Sequence, residues 1–263
     1  MGNSSKHSIL HQDHTVHAIQ QRIGQQAGRG YLSDAVLGAI DGAVTTFAVA
    51  AAAVGGGLSG TVVIVMGFAN LLADGFSMAA SNYLAAKSEI EGVERARREE
   101  EDHIHHVPWG EREEVRQIFQ GKGFSGDLLE QIVSVITASK DLWVDTMLTE
   151  EHGLSLATPN PLRAGLATFA AFILVGLLPL LPFLAAAEAT TRTFGISLVV
   201  TAAAFGGVGL LKGRILQRSM IRSGLETLVV GCIAAALAYG AGYVLRQMYD
   251  SGSAQLMGWL AAP

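Results

Sequence analysis

Five long stretches of this chain carry almost no charge. The hydrocarbon core of a bilayer is about 30 Å thick, and a helix needs roughly 20 apolar residues to cross it. Stretches this long and this apolar restrict the fold more than any other feature. They run from about Tyr31 to Val54, Thr61 to Ala86, Leu162 to Leu184, Thr193 to Leu211 and Leu225 to Leu245. Gly55, Gly56, Gly57 and Gly60 mark a turn between the first two. Pro179 and Pro182 predict a kink near the end of the third, of the kind that neighbouring helices tolerate. Composition agrees. Only 16% of residues are charged, against about 25% for a soluble domain, and the mean hydropathy is +0.36. The expected fold class is an all-α membrane protein with five transmembrane helices.

Between the second and third spans the character of the chain changes. Residues 87–160 hold most of the charge, and the run from Glu94 to Asp102 is too polar to insert. Leu128, Ile132 and Val135 recur at helical spacing, which predicts amphipathic helices in this insert. Asp127, after Ser125-Gly126, reads as a helix cap, and Asn160-Pro161 closes the insert. The expected organisation is a polar tail over 1–30, spans one and two over 31–86, a helical metal-binding domain over 87–160, spans three to five over 161–247, and a tail over 248–263.

Basic residues near span ends set the orientation. The loop between spans one and two has none. The insert opens with Lys87, Arg95, Arg97 and Arg98, and the loop between spans four and five has Lys212, Arg214, Arg218 and Arg222. The N-terminus and the insert are therefore expected in the cytoplasm and the C-terminus outside. The first residues are polar, with His7, His11, His14 and His17, and do not form a signal peptide. The short loops suit a bacterial plasma membrane. A net charge of −5 gives no basic excess for nucleic acid. Cys232 alone makes no disulfide or thiolate site. The chain has no Gly-rich phosphate loop that would support ATP-driven pumping.

Acids within the spans are the strongest pointer to function. A carboxylate at the bilayer centre costs about 2.5–3.5 kcal/mol on insertion scales and usually marks an ion path. Asp41 sits near the middle of span one, with Asp34 seven residues earlier on roughly the same face. In span two, Asn70, Asp74 and Met78 are spaced i, i+4, i+8, and Asn82 extends the stripe. Oxygen ligands beside a softer sulfur suit Fe²⁺ or Mn²⁺. The alternative for Met78 is ordinary packing. The insert is dense in carboxylates and imidazoles. Glu100 with His103, and Glu111 with Glu114, are i, i+3 pairs that share a helix face, and Glu150, Glu151 and His152 follow Met147. Such groups build metal sites between helices. They also occur as plain solvated surface.

Taken together, these residues resemble the vacuolar iron transporter family, the Fe²⁺/Mn²⁺ transporters of plants, fungi and many bacteria. The resemblance rests on Asp34 through Ala48 in span one, Gly75-Phe-Ser-Met78 and Asn82 through Glu89 in span two, Val107-Pro108-x-x-Glu111-x-x-Glu114, and Trp143 through Leu154. It covers roughly residues 30–247. It implies a homodimer in a lipid membrane that exchanges Fe²⁺ or Mn²⁺ for protons, with Asp41 and Met78 lining the path. It also implies a cytoplasmic metal collector at Glu100, His103, Glu111, Glu114, Met147 and Glu151. The reading is thus of a transporter rather than an enzyme, with no tightly bound cofactor and the metal as substrate. Three departures stand out. Asn70 replaces a glutamate of plant-type members, with Asp74 one turn along as the candidate replacement. His103 replaces a glutamate, and Leu148 replaces the second of two adjacent methionines. A non-transporting metal sensor or scaffold, transport of another cation such as Ca²⁺ or Co²⁺, and a membrane di-iron oxidoreductase are the rival readings. The last would need two Glu-x-x-His pairs, and only Glu100-x-x-His103 fits.

Overall fold

The computed structural model describes residues 15–24, 30–186, 190–215 and 219–260. Every regular element among them is helical. In order they are α1 (Val16–Gly24), α2 (Leu32–Gly55), α3 (Gly60–His106), α4 (Pro108–Gly121), α5 (Gly126–Thr137), α6 (Lys140–Glu150), α7 (Pro161–Gly176), a 3₁₀ turn (Leu178–Leu180), α8 (Leu181–Ala186), α9 (Thr191–Ile215) and α10 (Met220–Leu260). Five helical segments are long and apolar enough to cross a membrane: Leu32–Gly55, Gly60–His106, Pro161–Ala186, Thr191–Arg214 and Ile221–Ser251. Their outward faces carry exposed Leu72, Phe76, Val199 and Leu237, the pattern of a lipid-facing surface. This is a five-helix membrane protein.

The chain divides into two compact units. The membrane unit comprises Tyr31–Leu84 and the residues from Pro161 onward. Its central helix is α2, which packs against α7, α9 and α10. Small residues make that possible. Ala43, Ala50 and Ala51 are completely buried. A Cβ built on Gly42 would lie 2.4 Å from the Phe172 carbonyl oxygen, and one on Gly38 would lie 2.3 Å from that of Thr168. The backbones of α2 and α7 therefore touch directly, the close approach that small residues allow between membrane helices. Phe172, Leu71, Val63, Leu180 and Phe183 close the core around Ala50 and Ala53. Phe47 stacks on Phe194 at 5.7 Å between ring centres, joining α2 to α9.

The prolines of the third span break it as expected. After Gly176 the helix gives way to one 3₁₀ turn containing Pro179, then resumes at Leu181. The Ser197 hydroxyl of α9 donates to the Pro179 carbonyl at 2.7 Å, which satisfies a backbone group within the apolar core.

The second unit holds Ala85–Asn160 together with the described residues before Tyr31. No break separates span two from the insert. α3 runs on for 47 residues, about 70 Å at 1.5 Å per residue, because Glu, Arg and Ala are strong helix formers. It stops at His106, where Pro108 pushes Val107 out of helical geometry (φ −134°, ψ 50°). The helices α4, α5 and α6 pack on one another over Val115, Leu129, Val133, Ile136, Trp143 and Met147. Ion pairs add Arg97 to Asp145, and Arg116 to both Glu113 and Glu130.

Three expectations shift in detail. On α5 the buried stripe is Leu129, Val133 and Ile136, while Leu128 and Val135 are exposed. Ser125, not Asp127, occupies the N-cap position, and Asp127 lies in the first turn. The segment after Leu245 continues as α10 to Leu260. His17 is exposed on α1, while His7, His11 and His14 lie outside the described residues.

The α2–α7 contact is testable. Gly42→Ala should lower the thermal unfolding midpoint of the purified protein, by a destabilisation of about 1–3 kcal/mol as for overpacking. Gly195→Ala, where a Cβ meets nothing within 4 Å, should leave the midpoint unchanged or raise it slightly. Equal midpoints for Gly42→Ala and wild type in a detergent melt would show that the helices separate freely.

Candidate functional site

In the membrane unit, Asp41 is half-buried on α2. The Thr45 hydroxyl donates to its carbonyl at 2.9 Å, and the Asn70 amide donates to that hydroxyl at 3.3 Å. The carboxylates of Asp41 and Asp74 lie close enough to interact electrostatically. Spans one and two are thus joined from Asn70 to the Asp41 carbonyl, with Thr45 as an unforeseen connector. Asp74 is exposed on the surface of the single chain.

The rest of the span-two stripe behaves differently. Met78 packs against the apolar core that includes Phe172 and Leu71. Asn82 is tied to the third span, its amide donating to the Thr168 hydroxyl at 2.7 Å and to the Ala164 carbonyl at 3.3 Å. Asp34 is buried, and its Oδ2 has no hydrogen-bond partner among the described residues.

The insert assembles a denser cluster. Glu100, on α3, is 2% exposed. Its Oε1 lies 2.9 Å from His152 Nε2 and 3.9 Å from His103 Nδ1. Glu111, in the first turn of α4, places Oε1 3.5 Å from the same His103 nitrogen. The second oxygens of Glu100 and Glu111 are buried with no partner among the described residues. Leaving such groups unsatisfied costs about 1–3 kcal/mol each, more when charged. Two sets of potential ligand atoms result, Glu100–His103–Glu111 and Glu100–Glu151–His152, each with its ligand atoms within 4.8 Å of one another.

Among the expected insert ligands, Glu100, His103, Glu111 and Glu151 converge. Glu114 is exposed but near enough to act electrostatically on Glu111 and Glu151. Met147 is fully buried in the apolar core beside Val115 and Trp143. His152, which the sequence places among the insert's imidazoles and carboxylates but the resemblance leaves out of the ligand set, joins the cluster as closely as any residue. It follows the end of α6, and Gly153 (φ +64°) turns the chain there. A histidine followed by glycine at a helix end was the available signal.

Burial and crowding push the Glu111 carboxyl up to about 7, with the carboxylates of Glu100, Glu114 and Glu151 adding to the effect and His103 opposing it. Burial, then Glu114 and Glu100, raises Glu151 as well. The hydrogen bond to Glu100 raises His152. In each case the folded state holds its proton more tightly than the unfolded chain does. The stability they contribute is therefore present at low pH and falls as pH rises, for Glu111 between about 4.5 and 7. Glu101, lowered by Lys140, and Glu130, lowered by Arg116, act at lower pH. Metal-free protein should lose thermal stability as pH rises across that window, and Glu111→Gln should flatten the curve and stabilise the protein at pH 8. Melts at a series of pH values check this, and a wild-type curve that rises with pH would contradict it.

The model of the VIT family matches residues 32–243. The chain is 34% identical over 226 residues to a vacuolar iron transporter of Toxoplasma gondii, covering 82% of this chain and 74% of that protein. It is 33% identical over 209 residues to vacuolar iron transporter 1 of Arabidopsis thaliana, covering 78% and 82% respectively. It is 32% identical over 210 residues to vacuolar iron transporter 1 of Eucalyptus grandis, covering 79% and 83%. With a match over well more than half its length, and relatives of this similarity, the chain belongs to the VIT family.

Proposed function

We propose that this protein is a divalent metal transporter that moves Fe²⁺ or Mn²⁺ out of the cytoplasm in exchange for protons, working as a homodimer. The observation that carries the reading is the pair of buried carboxylates, Glu100 and Glu111, whose unpartnered oxygens face a shortage of protein donors and whose neighbours are two imidazoles. Carboxylate and imidazole together suit the middle of the first-row divalent series. Membership of a family whose relatives are named iron transporters supports the same substrate class.

On this reading, cytoplasmic metal is captured at Glu100, His103 and Glu111, with Glu151, His152 and Glu114 contributing charge or ligands. It then reaches the acids of the membrane unit, Asp74 and Asp41, beside Asn70. Met147 and Met78 support the site by packing, and their sulfurs are the softer ligands available if the packing opens. Asp34 serves the same membrane path. Protons compete with metal for each carboxylate, since a ligand must be deprotonated to bind. A carboxyl such as Glu111, poised near neutrality, exchanges proton for metal over a narrow pH range. The homodimer is supported by Asp74, because a carboxylate on the outer face of a single chain is costly against lipid and gains from a second copy.

Flux in proteoliposomes, with Fe²⁺ and Mn²⁺ in parallel and with or without a pH gradient, tests this directly. Wild type should move metal in response to the proton gradient, and Asp41→Ala should abolish flux in a folded protein. Undiminished flux in that variant would remove Asp41 from the path, and no flux in folded wild type would favour a sensor or scaffold. Mn²⁺ titration followed by electron paramagnetic resonance should show His152→Ala weakening binding about 10–100-fold, the range for residues that orient or complete a metal site. An unchanged affinity would leave His152 as a structural partner of Glu100.

A further inference from the structure

A hydrogen-bond relay between the first two spans fixes which way the Asn70 amide faces. The oxygen and the NH₂ group of an amide have nearly the same shape, and their neighbours decide which is which. Asp41 and Thr45 stand one turn apart on α2, and Thr45 Oγ1 lies 2.9 Å from the Asp41 carbonyl oxygen. A carbonyl can only accept, so the single hydroxyl hydrogen of Thr45 is committed to it. Thr45 is left with lone pairs. Asn70, 3.3 Å away on α3, meets them with its NH₂ group and with nothing else. The Asn70 carbonyl oxygen is the end that remains.

That oxygen has no use inside the fold. Asn70 is half-buried, and among the described residues no donor reaches its Oδ1. An acceptor without a donor is costly where water is scarce. A cation removes the cost, and an amide oxygen is a hard, neutral ligand of the kind that suits Mn²⁺. It adds a ligand to a path that already contains acids, without adding a proton that the metal must displace.

We propose that Thr45 is a positioning residue: by accepting from the Asn70 amide, it holds Asn70 Oδ1 as a neutral ligand for the transported divalent cation. The cargo is taken from the transport reading, on which this assignment rests. The part given to Thr45, an uncharged side chain that does not itself touch the metal, is new. Without the hydroxyl the Asn70 amide loses the contact that tells its two ends apart. Its terminal torsion is broad and roughly two-fold, so the NH₂ group then takes the ligand position part of the time and repels the ion.

The test uses the full chain in detergent, with the insert cluster silenced by Glu100→Gln and Glu111→Gln together, so that Mn²⁺ titration followed by electron paramagnetic resonance reports on the membrane unit. In that background Thr45→Val, which keeps the shape and removes the hydroxyl, should weaken Mn²⁺ binding about tenfold, as for residues that orient a metal ligand. Thr45→Ser, which keeps the hydroxyl, should retain the affinity. Asn70→Leu should cost as much as Thr45→Val, and the double variant no more than either alone, because both remove the same ligand. Thr45→Ala carries the same expectation should Thr45→Val fail to fold. In proteoliposomes with the insert intact, Thr45→Val should raise the Mn²⁺ concentration for half-maximal flux and leave the maximal rate within about twofold, the pattern of lost binding. Undiminished Mn²⁺ binding by the variants without the hydroxyl, weak binding by Thr45→Ser, additive losses in the double variant, or no Mn²⁺ binding in the silenced background would each overturn the proposal. Binding that follows the expected pattern in a protein whose wild type moves no metal would defeat the transport reading and leave the role of Thr45 standing.

Discussion

Direct backbone contact around α2 is the constraint on which the membrane unit depends. This helix touches α7 at Gly38 and Gly42 and α10 opposite Ala52, with no side chain between the backbones. In lipid the apolar effect gives little drive for one helix to join another, so packing and interhelical hydrogen bonds must hold the bundle. Thin helices bring more atoms into contact and shorten the reach between polar groups. The bonds from Asn82 to Thr168, from Asn70 to Thr45 and from Ser197 to Pro179 are possible at this spacing. Half-buried Asp41 stands on the same helix, held by the close packing of its neighbours rather than by a salt bridge of its own.

The insert follows a different physics. Its apolar core of Val115, Val133, Trp143 and Met147 forms in water, and surface ion pairs such as Arg116 with Glu130 decorate the outside. Against that ordinary background, Glu100 and Glu111 are out of place. They are buried, of like charge and incompletely hydrogen-bonded. Buried carboxylates are tolerated when protonated or when a cation is present, which links their cost in the metal-free fold to the binding proposed for them. His103 and His152 both approach Glu100 Oε1 and partly offset the charge.

Much of the fold was legible because the bilayer imposes a minimum length and an apolar composition on each span. The proline break in the third span was legible for a similar reason, since proline cannot complete a helical ladder. The insert was harder. Leu128, Ile132 and Val135 share helical spacing, but so do Leu129, Val133 and Ile136, and only the docking of α4 and α6 decides which stripe is buried. Asn82 belongs by spacing to the span-two stripe, yet its amide is committed to α7. Met147, placed by resemblance among the ligands, lies in the core.

The amino-acid sequence by itself determined that the chain has five spans, that a charged segment separates the second from the third, and which acids stand where hydrocarbon should exclude them. Those conclusions depend on transfer from water, a property of composition along a segment. Tertiary structure alone decided that Asn70 reaches the Thr45 hydroxyl beside Asp41, that the Asn82 amide donates to Thr168, and that His152 reaches Glu100 across 52 residues of chain. These depend on helix packing and on a glycine turn at the end of α6, and no local pattern encodes the distance between side chains brought together from separate helices.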